Sequence, residues 1–323
     1  MSTIINFLFA AVKSGAPLLL GTTGEIITEK SGSLNLGVEG IMALGAFAGY
    51  YAGYKSGSLV LAIFSAFLMG ALAGLIFAVL TVTLQANQNV TGLTLTIFGS
   101  GVALFFGEIL IKQRPKLSGA MNAMLSGTEI PLLSKIPAIG RILFSQNILV
   151  YLSIIIAVLC GIYLKYTRAG LKVRAVGENP AAADASGINV TLTKYINIML
   201  GGGICGIGGA YLALINGRGD WDNNAVSGQG WISVALVIFA RWSPFGAILG
   251  SLVFGAFYVF QIRVNDIVAA FPFLGFLSKI PNAFYSMLPF VITALVLVIS
   301  SVQKKKIGVQ PSSCGINYYR EDR

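Results

Sequence analysis

Residues 166–194 read YTRAGLKVRAVGENPAAADASGINVTLTK, a polar island with long apolar runs on both sides. Its local grammar is that of a short helix with defined ends. Asn179 is a good N-cap, Pro180 takes the first helical position where a missing N–H costs nothing, and the alanine-rich run Ala181 to Ala185 follows. Gly187 ends it. Such a helix is only about 10 Å long and is unstable alone in water, so the sequence predicts that it rests on a partner surface. Arg168, Lys172, Arg174 and Lys194 flank it, and the positive-inside bias then assigns the island to the cytoplasmic side.

Outward from the island, apolar runs occupy roughly residues 3–22, 34–54, 58–84, 90–111, 147–165, 195–215, 231–240, 245–262 and 284–302. The expected fold is all-α: a polytopic membrane protein of about nine transmembrane or half-membrane helices. Composition agrees, since 55% of the 323 residues are hydrophobic and 11% charged, against roughly a quarter charged in soluble domains. The mean hydropathy of +0.80 points the same way. The run 231–240 has half of the ~20 residues that a crossing helix needs, so it is expected to be a half-helix or re-entrant segment shielded by protein.

If the island and Lys304, Lys305 and Lys306 both lie inside, the four intervening runs satisfy parity. The five runs before the island then place the N-terminus outside and the C-terminus in the cytoplasm. Lys112, Arg114, Lys116, Lys135 and Arg141 in the outer loop run against this bias, but the dense clusters remain inside. Residues 1–303 read as one transmembrane domain containing the loop 166–194, and residues 304–323 as a cytoplasmic basic tail. The first run lacks a charged n-region and a cleavage site and reads as a retained helix.

The net charge of +10 comes from 22 basic against 12 acidic residues. The basic residues lie at membrane boundaries rather than in an aromatic-interleaved patch, which favours topology over nucleic-acid binding. There is no histidine, which removes the commonest general base and metal ligand. Cys160, Cys205 and Cys314 show no metal spacing. No catalytic site, metal site or cofactor is expected. GEIITEKS at residues 24–31 approaches a phosphate-binding loop, but Glu29 replaces the second glycine and would repel the anion. ATP binding by this chain is therefore not expected.

GLKVRAVGENPAAADASGINV, residues 170–190, is similar to the cytoplasmic coupling loop of ABC importer permease subunits, in the branch serving ribose-type sugars, branched-chain amino acids and nucleosides. GEIITEKSGSLNLGVEGIMALGAF, residues 24–47, resembles the nucleoside-importing members in particular. The resemblance implies a plasma-membrane permease, not an enzyme, that pairs with a second homologous permease, forming a heterodimer. It also implies a cytoplasmic ABC ATPase docked on Pro180 to Gly187 and an extracytoplasmic substrate-binding protein that delivers cargo. ATPase coupling would involve Arg168, Gly170, Arg174, Gly177, Glu178, Asn179, Pro180, Ala182, Ala183 and Gly187. The implied cargo is a nucleoside, with a simple sugar such as ribose or galactose as the alternative. An ion-coupled secondary transporter using Glu39 is the reading from a different class.

Carboxylates inside apolar sequence cost several kcal/mol unless they pair, line water or bind something. Glu25, Asn35 and Glu39, interleaved with Gly32, Gly37 and Gly40, are candidates for the substrate pathway beside a discontinuous helix. A structural alternative has Glu39 satisfied by nearby N–H groups. Asn87 and Gln88, in a short turn between the third and fourth runs, are candidates for the inner vestibule. Asp220, Trp221 and Asp222 form the expected tip of an outer loop where a receptor could dock. Phe98, Phe105 and Phe106 in the fourth run and Phe254, Phe257, Tyr258 and Phe260 in the eighth are expected to serve packing or to face lipid, with a few of them stacking on a base if the cargo carries one.

Overall fold

The computed structural model describes residues 2–113, 115–127, 139–217, 219–270, 275, 277, 280–302 and 309–319. Arg114, Lys135, Arg218 and Lys304 to Lys306 lie outside the described residues. The helices are α1 (Ser2–Lys30), α2 (Val38–Ser56), α3 (Leu59–Ala78) with a π-helical turn (Val79–Thr83), α4 (Gln88–Lys112), α5 (Gly119–Leu125), α6 (Ile139–Phe144) and α7 (Ile148–Tyr166). They continue as α8 (Arg168–Glu178), α9 (Pro180–Ala185), α10 (Val190–Asn216), α11 (Gln229–Phe239), α12 (Pro244–Ala270) and α13 (Asn282–Val302). Among the described residues there is no strand, only an isolated bridge between Lys116 and Asp220.

Among the described residues six helices are long and apolar enough to cross a membrane: α1, α3 with its π-turn, α4, α7, α10 and the first part of α12. The helix α2 falls outside this set because it is sheathed in protein, not lipid. Its buried face is nearly continuous from Val38 to Tyr50, and it carries glycines, tyrosines and Glu39 in place of a uniform aliphatic surface. The helix α11 has 11 residues, a rise of about 16 Å against a hydrocarbon core of roughly 30 Å.

The centre of the bundle is α10, which packs on α1, α2 and α3. Its run GGGICGIGGA is buried throughout, because glycine lets backbones meet in a medium that offers no hydrophobic drive between helices. A Cβ on Gly209 would overlap the Met42 carbonyl oxygen, one on Gly45 would overlap Gly206, and one on Gly70 would overlap the Gly202 carbonyl. These three contacts weld α2, α3 and α10 backbone to backbone.

Sequence reading ends the first helix near Thr22 and leaves Glu25 and Glu29 in a connecting segment. Instead α1 runs on to Lys30, placing both carboxylates on its last turns. No helix breaker stands in the way: Gly24 is retained at a close approach to Gly201 and Cys205 of α10.

Pro17 lies inside α1 and removes the N–H that would serve the Lys13 carbonyl four residues earlier. Tyr211 of α10 replaces that donor, with its hydroxyl 2.8 Å from the Lys13 oxygen, and Asn147 donates to the same hydroxyl at 3.2 Å. Tyr211→Phe should therefore leave a carbonyl unserved and cost about 1–3 kcal/mol, seen as a lower melting temperature of the detergent-purified protein with expression retained.

Candidate functional site

Three helices at one end of the bundle are each opened by a side-chain cap, as the run of Thr and Asn residues dictates. Thr167 accepts from Gly170 N–H at 2.9 Å, Asn179 from Ala182 N–H at 3.0 Å and Asn189 from Leu192 N–H at 2.9 Å. The middle helix, α9, has Pro180 at its first position and is closed by Gly187 at φ 80°. The expected short helix is thus present with its expected ends. It rests on α8, which local reading of the Pro180 segment did not reveal. The signal was there: Val173, Val176 and Gly177 share the buried face of α8.

The ten candidate coupling residues divide by exposure. Arg168, Arg174, Glu178, Asn179, Ala182 and Gly187 are exposed, Pro180 is half-buried, and Gly170, Gly177 and Ala183 are buried. The last three pack within the chain. A Cβ on Gly177 would overlap the Lys30 carbonyl, one on Gly170 would overlap the Tyr163 carbonyl, and Ala183 sits in a small core with Val176 and Val190. The exposed surface of α9 is a ridge of Ala181, Ala182 and Ala185.

Residues 309–319 fold back across this end. Ser312 donates its hydroxyl to Glu178 at 2.9 Å, Ser313 donates to the Gly177 carbonyl at 2.6 Å, and the Tyr318 hydroxyl donates to Asp184 at 2.9 Å. On the other side Asn317 donates to the Gln85 carbonyl at 2.6 Å and accepts from Gln88 at 2.9 Å. The tail segment is therefore a strap from α8 and α9 to the turn between α3 and α4. Every one of these bonds spans more than a hundred residues of sequence, which is why the tail reads in sequence only as a basic extension.

Burial pushes the Cys314 thiol up from its ordinary value to about 12, and the nearby Glu29 carboxylate adds to the effect. Only the thiolate reacts, so maleimide labelling of Cys314 at pH 8 should run about a hundredfold or more slower than that of a free thiol. It should accelerate as pH rises toward 12. Disrupting the strap with Ser312→Ala and Ser313→Ala should restore ordinary labelling at pH 8, measured with Cys160 and Cys205 replaced by alanine.

The expected pathway residues are not brought together as one lining. Glu25 is 1% exposed and accepts from Asn35 N–H at 3.0 Å, while Asn35 bonds Gly37 N–H at 2.8 Å, so both shape the turn into α2. Gln88 is buried, donating to the strap and accepting from Leu34 N–H at 2.7 Å. Asn87 is exposed and caps α4 by accepting from Val90 N–H at 3.1 Å. In this structure all four make the hydrogen bonds of the scaffold. Glu29 accepts from the Trp242 indole N–H in the turn joining α11 to α12.

Glu39 has a different partner from any its neighbours suggest. Its two carboxylate oxygens accept from Gly228 N–H at 2.6 Å and Gly230 N–H at 2.7 Å, holding the N-terminus of the half-helix α11 from the first turn of α2. A carboxylate here meets both the unpaired N–H groups and the positive end of the helix dipole. Glu39 also lines a cavity of about 170 Å³ with Ser100, Trp221 and Asn224. Glu39→Gln would turn one acceptor toward an N–H as a donor and cost about 2 kcal/mol. The expected result is reduced uptake together with a lower melting temperature; a wild-type melting curve would contradict the clamp.

At the outer-loop tip Trp221 is 9% exposed. Its ring packs on Phe47 and Tyr50 and its N–H donates to Asn223 at 2.6 Å, because an indole gains more from burial than from water once its one donor is satisfied. Asp220 and Asp222 remain exposed. Among the described residues no cluster of His, Cys, Asp or Glu could hold a metal ion.

Comparison with known proteins gives a consistent picture. The profile of the family described as branched-chain amino acid transport system permease component matches residues 7–300. The chain is 35% identical to the nucleoside ABC transporter permease protein NupC of Lactococcus lactis subsp. cremoris, over 94% of this chain and 93% of that one. It is 33% identical to the guanosine ABC transporter permease protein NupQ of Bacillus subtilis, over 89% of each. It is 31% identical to the putative glucose ABC transporter permease protein TsgC13 of Haloferax volcanii, over 99% of each.

Proposed function

This chain belongs to the family of permease components of branched-chain amino acid transport systems, and we propose that within it the chain conducts nucleosides inward under the drive of an ATPase seated on α9. It is a multi-pass plasma-membrane permease subunit of an ABC transporter, a transport component rather than an enzyme, working with a separate ATPase and a substrate-binding protein.

The observation that carries the coupling reading is the geometry of α9: two capped turns, an exposed alanine ridge, and basic residues Arg168, Lys172 and Arg174 beside it. A rigid rod of this kind transmits a rigid-body shift to the helices it joins, here α8 and α10. Arg168, Arg174, Glu178, Asn179 and Ala182 are the contacts we assign to the ATPase. The basic cluster puts this end in the cytoplasm by the positive-inside bias. Our reading takes nine transmembrane or half-membrane helices, the six long ones with α2, α11 and α13, with an outward N-terminus and Asp220 and Asp222 on the receptor side. A second, homologous permease would close the open side formed by α11, α12 and α13.

Nucleosides are favoured as cargo because two relatives named for nucleoside or guanosine transport match at 35% and 33% identity over most of the chain. A sugar is the second reading, favoured by the glucose relative that aligns over 99% of both chains. Ion-coupled transport is disfavoured because both oxygens of Glu39 are spent on backbone N–H groups. The deciding experiment is uptake into proteoliposomes holding the complete transporter and its receptor, with labelled guanosine, adenosine, uridine and glucose. ATP-dependent uptake of nucleosides, not displaced by excess glucose, is expected. Glucose uptake alone would reverse the cargo assignment, and uptake that ignores ATP would reverse the coupling.

A further inference from the structure

Two cavities flank the start of α11 and share a wall. One, of about 580 Å³, is aromatic, with Trp231 of α11, Phe254, Phe257 and Tyr258 of α12, and Tyr285 of α13 around it. The other, of about 610 Å³, is polar, with Lys13, Asn216, Asp222, Asn224 and Arg263. Ser227, Gln229 and Tyr258 belong to both. Each volume lies in the range of small-molecule sites.

Gln229 stands at the junction. The residue is 8% exposed and lines both cavities, and among the described residues no hydrogen bond engages its side-chain amide. Its backbone is fixed from several directions. Its N–H donates to the Val226 carbonyl at 3.0 Å, its carbonyl accepts from Ser233 at 2.9 Å, and the glycines on either side are held by Glu39. The clamp described above thus presents a pre-positioned amide whose donors and acceptor face open space.

We propose that Gln229, walled by Trp231 and Tyr258, is a base-recognition site in the translocation pathway. This rests on the nucleoside reading and adds to it the site where the base is read. A primary amide offers a donor and an acceptor side by side, which match the paired donor and acceptor on the edge of a nucleobase. Aromatic rings supply the flat faces on which any base stacks. The ribose, with its hydroxyls, falls on the polar side, where Asn216, Asp222 and Asn224 lie. A hexose offers a puckered C–H face and out-of-plane hydroxyls in place of a planar π face with an in-plane donor–acceptor edge, so the pair of chambers favours nucleosides over sugars by stacking and hydrogen-bond geometry together.

The test uses the complete transporter with its receptor in proteoliposomes and measures uptake of adenosine, guanosine and uridine side by side. Gln229→Met preserves length and removes the hydrogen bonds; it should change the ratio of rates between the most and least favoured nucleoside by about tenfold, the scale of one lost paired contact. Trp231→Leu should lower all nucleoside rates while leaving the ratio unchanged. Wild-type nucleoside uptake with ratios unaltered by Gln229→Met, the result expected if an acyl chain fills the groove, overturns the site alone. Wild-type uptake of glucose with no nucleoside overturns the cargo reading and the site with it. As a check independent of folding in the variants, 8-azidoadenosine photolabelling of the wild-type transporter should mark peptides of α11 and α12. Labelling confined to other helices refutes the proposal.

Discussion

Uptake by the assembled transporter should fall to background when Pro180–Ala185 is replaced by six alternating glycines and serines. The replaced segment touches the rest of the chain mainly through Ala183 in its small core and through Asp184, which accepts from Tyr318. The folded protein should therefore still reach the membrane, with a loss of stability limited to one small buried side chain and one hydrogen bond, about 2 kcal/mol. What disappears is the rod: each of the three glycines adds about 1 kcal/mol against helix formation relative to alanine and each of the three serines adds less, and together they cannot hold two turns. Co-purification of the ATPase should be lost with uptake. Asn179→Ala alone, costing about 1 kcal/mol of cap energy, should give an intermediate rate. Uptake above half of the wild-type rate in the replaced protein would show that force enters elsewhere.

The second large effect is expected at Gly209. Its Cβ position is occupied by the Met42 carbonyl oxygen, and both sides of the contact are helix backbone that cannot swing away as a side chain can. Gly209→Ala should cost more than the ~1–3 kcal/mol typical of an overpacked core and largely abolish accumulation of the folded protein, measured by fluorescence-detected size exclusion. Gly101→Ala is the control: it has open space at its Cβ position and lies in α4, where alanine is the better helix former. It should accumulate at or slightly above the wild-type level.

Local sequence made much of this legible. Asn179, Pro180 and Gly187 announce α9 because capping is a matter of three or four neighbouring residues. The apolar runs announce the membrane helices because lipid demands length and composition alone. Pairing across the sequence was not legible. Nothing near Glu39 indicates that its partners are Gly228 and Gly230, and nothing near Pro311 to Tyr318 indicates that Glu178, Gly177 and Gln85 await them. Trp221 misleads for a related reason, since its polar neighbours mark a loop while its ring is taken up by Phe47 and Tyr50. Gln229 is not legible either, because a glutamine beside two glycines resembles any loop; its place between two cavities emerges only in the fold.

The glycine contacts among α2, α3 and α10 carry a mechanical consequence. Helices whose backbones already touch can neither approach nor slide without collision, so these three travel through the transport cycle as one casting. The opening and closing of the path must be taken up around them. The joint between α11 and α12 is suited to that duty: Arg241 and Trp242 there hold φ of 54° and 52°, conformations that non-glycine residues adopt at a cost.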